Sequence, residues 1–246
     1  MSTAEKITVF AILGVCLIIL VVILFDRIKT RKKSEEVRHY GDNAEKLVRS
    51  YIAEAFPGAV LMNNIYLKTG YGLTQLDHIL ICRWGVYAIE TKSHNGKIDI
   101  GEQKWVQHYR DKTISFHSPI KQNEIHKKAL AYAIGSDRRL KNIPVNGIIV
   151  FTSKNVYFSR RVKGVIRLDE LNGYIKKGVA FRENYRKSNR KNQAEITAQK
   201  FPSKRLLDSD TIASLAKLIE KKSVTDKRLQ EQHRKRIHNY IFEHKK

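Results

Sequence analysis

Asp77, Glu90 and Lys92 are residue types that can handle phosphates together. Two carboxylates can hold a divalent cation, and an ammonium can steady charge on a phosphate or on an attacking water. They lie in the stretch from Leu73 to Ser93, LTQLDHILICRWGVYAIETKS. Its two apolar-rich runs, Gln75 to Cys82 and Val86 to Lys92, are predicted to form a β-hairpin around Arg83-Trp84-Gly85. Strand side chains alternate, so Val86, Ala88, Glu90 and Lys92 share one face and Tyr87, Ile89 and Thr91 the other. Pairing of the runs carries Asp77 beside Glu90. Opposite charges gathered at the edge of a buried sheet cost free energy unless something uses them. The competing account of the triplet alone is an ion pair on a solvated face, with Asp77 as a charge that discourages edge pairing.

Asp77, then twelve residues, then Glu90-Thr91-Lys92 resembles the D-(x)n-(D/E)-x-K active site of restriction-endonuclease-like nucleases. The flanking text is similar to the NERD (nuclease-related) domain: GDNAEKLV at 41 to 48, LDHILI at 76 to 81, GVYAIETKSHNGKI at 85 to 98, Trp105, and SPIKQNEIHKKAL at 118 to 130. The resemblance covers roughly residues 40 to 152. It implies a Mg²⁺ ion, with Mn²⁺ as a substitute, held by Asp77, Glu90 and the backbone carbonyl of Thr91. It further implies that Lys92 orients the attacking water and that Glu45 in the first helix and Gln122 in the SPIKQN block complete the site. Read without the family, Glu45 favours a helix N-terminus and Gln122 is a solvated glutamine. His78 and His94 flank the triplet.

Several elements must position these groups. Asp42 or Asn43 is a plausible N-cap for a helix running to about Ala55, since Gly41-Asp42-Asn43 interrupts the helical spacing before it. Ala59 to Leu67 reads as a strand. Lys68 to Gly72 reads as a loop near Asp77, either an ordinary hairpin loop or a contact for phosphates. Lys97 to Ile100 and Thr113 to Phe116 look like short strands around a core Trp105. Pro119 opens a helix with Ile120, Ile125, Ala129, Leu130, Ala133 and Ile134 on its apolar face, and Pro144 to Thr152 is a buried strand. Val156 to Phe158 and Val165 to Leu168 extend the set, and Asp169 opens a short helix. The expected fold class is α/β, a restriction-endonuclease-like mixed sheet flanked by helices.

Outside that core, Ile7 to Phe25 holds 19 residues without a charge. That is enough to cross a hydrocarbon layer of about 30 Å at about 1.5 Å per residue. Arg27, Lys29, Arg31, Lys32 and Lys33 follow it, against Lys6 alone before it. The positive-inside rule therefore places the N-terminus outside and the remainder in the cytoplasm of a single-pass cell-membrane protein, with the basic flank free to touch anionic lipid. The expected division is 1–6, a transmembrane helix at 7–25, a basic linker at 26–39, the nuclease-like domain at 40–155 and a basic, mainly helical C-terminal region at 156–246.

The chain holds 47 Lys and Arg against 24 Asp and Glu, a formal net charge of +23. Such an excess suits a polyanion, nucleic acid first and anionic lipid second. Residues 160–246 alone hold 24 Lys and Arg against 10 Asp and Glu. Phe181 to Arg205 reads as loop, Asp208 to Lys221 as a capped helix, and Val224 to Glu243 as a solvent-facing helix or frayed tail whose basic clusters could hold nucleic-acid backbone. Cys16 and Cys82 form no disulfide framework and no zinc spacing. The expected activity is Mg²⁺-dependent hydrolysis of DNA phosphodiester bonds. The alternative is a catalytically inactive nucleic-acid-binding module, and a third reading is a scaffold at the membrane surface.

Overall fold

The computed structural model describes the backbone of residues 3–70, 72–176 and 206–243, with the side-chain surroundings of all of these except 3–17, 33, 34, 37 and 238–243. By packing, the chain resolves into two units, Met1–Asn43 and Ala44–Lys246.

The described part of the first unit is helical throughout, within α1 (Thr3–Ala55). The helix start expected at Asp42 or Asn43 is corrected by this continuity, and residues 26–39 are helical as well. A single glycine inside a helix costs only about 1 kcal/mol relative to alanine. Asn43 Nδ2 lies 3.1 Å from His39 Nδ1 one turn earlier, so its amide serves the helix surface rather than a cap. Ile18 to Phe25 are all exposed, each at 46% or more. Among the described residues no helix is long and apolar enough to cross a membrane. The side chains of Ile7 to residue 17 lie outside the described residues, so the expected span rests on composition.

In the second unit α1 ends where the sequence indicates. The Phe56 N–H still bonds the Ile52 carbonyl, and Gly58 then adopts φ 79° after Pro57. Five strands follow in one mixed sheet, ordered β1 (Val60–Thr69), β2 (Gly72–Cys82), β3 (Gly85–Lys92), β7 (Val145–Phe151) and β9 (Val165–Arg167). The first three pair antiparallel and the last three parallel. Lys68 therefore belongs to a strand and not to the loop expected there; Tyr71 lies outside the described residues.

A second, four-stranded sheet is ordered β6 (Lys112–His117), β5 (Lys104–Tyr109), β4 (Gly96–Asp99) and β8 (Val156–Phe158). Trp105 is itself a residue of β5, fully buried and stacked on Phe151 with centroids 6.2 Å apart. Gly96 turns the chain into this sheet with φ 73°, and a Cβ there would meet the His108 carbonyl oxygen at 2.3 Å.

Alternation along β3 sends its two faces into different cores. Tyr87 and Ile89 join Leu80, Ile148 and Val150 beneath Val48 and Ile52 of α1 and Phe56 just after it. Val86 and Ala88 join Ile79 and Ile81 beneath Ala129, Leu130, Ala133 and Ile134 of α2 (Pro119–Gly135). Ile212, Leu215 and Ile219 of α3 (Ser209–Lys222) seal the same core, and Asp208 caps α3 by accepting the Thr211 N–H at 2.7 Å. β9 and α3, both beyond residue 155, complete the layers that begin at residue 44. Their apolar residues stand apart in sequence from the strands they cover, which is why composition alone set them aside. The expected loop at Phe181 to Arg205 lies outside the described residues.

α2 is seated by a polar contact within this packing. Asn123 Nδ2 donates to the Ile148 carbonyl at 3.0 Å, and a Cβ on Gly147 would stand 3.0 Å from that same nitrogen. The helix lies this close to β7 because residue 147 has no side chain.

Two predictions follow from the packing, both read by denaturant unfolding of the full chain. Leu215→Ala should cost about 2–5 kcal/mol as a buried truncation, whereas Leu229→Ala, at an exposed position, should stay within about 0.5 kcal/mol; equal effects would mean that α3 is not part of the core. Gly147→Ala should destabilise the parent, and the loss should shrink in an Asn123→Ala background. Strictly additive losses would show that the two positions do not press on each other.

Candidate active site

The site begins with an irregularity in the sheet. Along β1 the positions packed into the α2-side core are Val60 and Met62, then Ile65 and Leu67; along β2 they are Ile81 and Ile79, then Leu76. Alternation slips by one residue on each strand, at Asn64 and at Asp77. The β1–β2 register skips this pair, and the β2–β3 register ends at His78 opposite Ile89. Asn64 sits at φ 54°, a conformation that asparagine adopts more readily than most residues. Irregularities of this kind re-aim a side chain. Here the Asp77 Oδ2 atom accepts the Thr91 N–H at 2.9 Å, filling the place of the next rung of the ladder.

Backbone direction then decides where Thr91 faces. The Lys92 carbonyl accepts the Thr152 N–H on the β7 side at 3.0 Å. Successive peptide groups of a strand point to opposite edges, so Thr91 turns both its N–H and its carbonyl toward the β2 side, where Asp77 stands. Glu90 points beneath α2 and is buried, its side chain 2% exposed. Lys92 Nζ donates to Glu90 Oε1 and also to Gln122 Oε1, the latter at 3.1 Å. The expected Asp77, Glu90, Thr91, Lys92 and Gln122 are thus brought together where β3 ends beside Asp77, in the middle of β2.

Glu45 is placed differently. It lies on α1, half-buried over the opposite face, and its charge is felt at Asp77 and at Lys92.

Sequence reasoning missed His126. It is buried on α2 with Nδ1 3.2 Å from Glu90 Oε2, yet that oxygen has no aligned hydrogen-bond partner among the described residues. The available signal was the i, i+4 spacing from Gln122, which puts both residues on the β3-facing side of the helix. Ile125 had been assigned to that side and is corrected: it is exposed, and the buried stripe runs through Pro119, Asn123, His126, Ala129, Leu130, Ala133 and Ile134. The flanking histidines are elsewhere. His78 is buried with Nδ1 2.7 Å from Asn63 Oδ1, and burial followed by the nearby Arg49 lowers its pKa to about 4. His94 stacks on Phe116 at 4.0 Å, and burial with Lys92 lowers it to about 4. Both rings are neutral near pH 7.

The charges of the site constrain one another. Burial raises the Glu90 pKa, but Lys92 and then His126 outweigh it and hold the group at about 2. For Asp77, burial and the neighbouring Glu90 push the pKa well above the usual carboxylate range, against the opposing pull of Lys92 and the Thr91 N–H. Burial works against the Lys92 ammonium, but Glu90 and Asp77 prevail and raise its pKa. Lys92 is therefore a cation, Glu90 an anion, and Asp77 a carboxyl group short of a compensating positive charge.

A Mg²⁺ ion, were one bound here, would draw oxygen donors from this cluster. Among the described residues no group of three or more His, Cys, Asp or Glu side chains could hold a metal. Magnesium needs fewer protein ligands than that: one or two carboxylates suffice, with water and substrate phosphate completing its shell. Glu90, Asp77 and the Thr91 carbonyl on the β2 side of the strand are hard oxygen donors of that kind.

Comparison with known proteins agrees with the geometry. Residues 40–152 match the family model described as the nuclease-related domain, NERD. An uncharacterized protein of Bacillus anthracis is 37% identical over 98 residues, which are 38% of this chain and 46% of the relative. The matched segment thus spans about half the relative's length. No solved structure matches the chain. The Asp77, Glu90 and Lys92 constellation lies inside the span, residues 40–152, that matches the nuclease-related domain model.

Proposed function

We propose that this protein is a membrane-anchored, Mg²⁺-dependent nuclease that hydrolyses phosphodiester bonds of DNA. One observation carries the reading: a buried glutamate held between Lys92 and His126, an under-compensated aspartate and a protonated lysine meet where β3 ends beside Asp77 of β2. Asp77, Glu90 and the Thr91 carbonyl are the groups that would hold the ion. When bound, it would polarise the phosphoryl oxygen and stabilise the leaving group.

Lys92 has a different part. Its raised pKa makes it a poor base. As a fixed donor it orients the attacking water and stabilises negative charge on the phosphate. Gln122 steers the ammonium by accepting a hydrogen bond from it. His126, behind Glu90, holds that carboxylate in place and in its ionised form. Glu45 adds negative field that favours a cation at Asp77.

The membrane part of the reading is supported by the uncharged run Ile7 to Phe25 and by the exposure of Ile18 to Phe25. The basic residues that follow orient the second unit to the cytoplasm by the positive-inside rule.

The test uses the full chain in mild detergent, with single-stranded, double-stranded and branched DNA, in Mg²⁺, in Mn²⁺ and in EDTA. Cleavage should require the metal and should fall by at least about 100-fold in Asp77→Asn, Glu90→Gln and Lys92→Met. Mg²⁺ should also raise the melting temperature of the parent and fail to do so for Glu90→Gln, because an ion that binds only the folded state stabilises it. DNA binding without cleavage under either metal would replace this reading with that of an inactive binding module. Binding only to anionic vesicles would replace it with that of a membrane-surface scaffold.

A further inference from the structure

The charges felt at Asp77 are mostly negative, Glu90 and Glu45 against Lys92. Among the residues of the site, Asp77, Glu90 and Glu45 oppose a phosphate backbone, and the Lys92 ammonium is engaged by Glu90 and Gln122. Attraction for a strand must come from neighbouring surface.

That surface is α4 (Lys227–Glu243), which lies outside the family-matched span. The sequence left it as either a helix or a frayed tail, and the structure builds a capped helix. The Asp226 carboxylate accepts the N–H groups of Arg228 at 2.8 Å and Leu229 at 3.4 Å. The connection from α3 is tied to the sheet, because the Val224 N–H donates to the Tyr66 carbonyl at 2.8 Å and Gln230 Nε2 donates back to the Val224 carbonyl at 2.7 Å. One turn further on, His233 meets the Tyr66 ring edge to face at 5.9 Å. Arg236 then reaches the β1–β2 turn, where its guanidinium nitrogen lies 3.6 Å from the point a Cβ on Gly72 would occupy.

These contacts locate α4 relative to the site. Tyr66 pairs with Gln75, which is two residues, or about 7 Å, along β2 from Asp77. Consistent with that closeness, the Tyr66 hydroxyl is influenced by Glu45 as well as by Arg234, and His233 by His126. Arg234, Lys235 and Arg236 are exposed along this helix. Arg234 and Lys235 share Glu231, at 2.7 and 4.0 Å, in surface ion pairs that phosphate can readily replace.

We propose that Arg234, Lys235 and Arg236 on α4 form a phosphate-binding arm for the nucleic-acid strand, holding it a few nucleotides from the bond at Asp77 and Glu90. The proposal rests on the nuclease reading and assigns to α4 the affinity that the metal-binding groups cannot supply. Phosphate contacts carry little sequence information, so the arm would set strength and salt dependence rather than sequence preference.

The experiment compares the full chain with an Arg234→Gln/Lys235→Gln/Arg236→Gln variant and with Lys217→Gln/Lys221→Gln/Lys222→Gln, which removes equal charge from α3. Binding of a fluorescent DNA oligonucleotide is followed by anisotropy in EDTA across a salt series, and cleavage is followed separately in Mg²⁺. The α4 variant should show a salt slope shallower by about one per lost contact, two to three in all. It should raise KM with kcat nearly unchanged, and the α3 variant should do neither. Equal effects of both variants would reduce the arm to net charge and overturn the proposal. A parent that binds and cuts DNA with α4 unchanged in effect would overturn the arm alone. A parent that neither binds nor cuts DNA would overturn the nuclease reading together with it. Loss of binding to phosphatidylserine vesicles, with the DNA slope unaltered, would assign the surface to lipid and also overturn the proposal.

Discussion

An ionised carboxylate buried beneath a helix is the constraint around which the second unit is arranged. Stripping a charge of water costs several kcal/mol even after the surroundings relax, unless partners of good geometry replace the lost hydration. Glu90 meets that cost with Lys92 on one oxygen and His126 close to the other. Neither partner can move freely. Lys92 is two residues along the same strand, and His126 is fixed by the seating of α2, which in turn depends on Asn123 bonding into β7 across the bare backbone of Gly147. The site is therefore positioned by two rigid elements, and one of its oxygens is still left without an aligned partner.

The slip at Asn64 and Asp77 belongs to the same economy. A regular β1–β2–β3 ladder would pair Asp77 through its backbone and leave the direction of its carboxylate to alternation alone. The skipped pair instead frees Asp77 to cap the Thr91 N–H, next to a carbonyl that faces the same way. The sheet gives up one rung in each ladder and gains a cluster of oxygens at its edge. Without a cation, Asp77 is the group that bears the imbalance, as the upward pressure of burial and Glu90 on its pKa shows.

Much of this was legible because strands report their faces with a period of two. The alternation from Val86 to Lys92 separated the α2-facing from the α1-facing residues, and the cores contain the side chains that it assigned. Helical periodicity carried less information on α2, since a buried helix face that holds Asn123 and His126 does not look apolar, whereas the exposed Ile125 does. Gly41-Asp42-Asn43 has the composition of a helix start, yet α1 runs through it, because local cap preferences are worth about 1 kcal/mol and neighbouring helical turns outweigh them. The slip at Asp77 could not be read at all. It exists only in the pairing of two strands, and each strand alone appears regular in its sequence.

The distribution of charge gives the remaining elements their place. A formal excess of +23 is far more than solubility requires, yet the immediate site is dominated by acidic groups. The two facts are compatible if cation binding and strand binding are separated in space. Carboxylates that hold a metal must be shielded by it before a phosphate can approach, and long-range attraction must then arise from residues that do not compete for the metal. α4 meets that condition geometrically: it is docked on the hairpin that carries Asp77, its basic side chains are exposed, and its acidic Glu231 is already neutralised by two of them. On the proposed reading, a sheet that gathers carboxylates where β3 ends leaves the attraction of a phosphate strand to the positive charge along the adjacent helix.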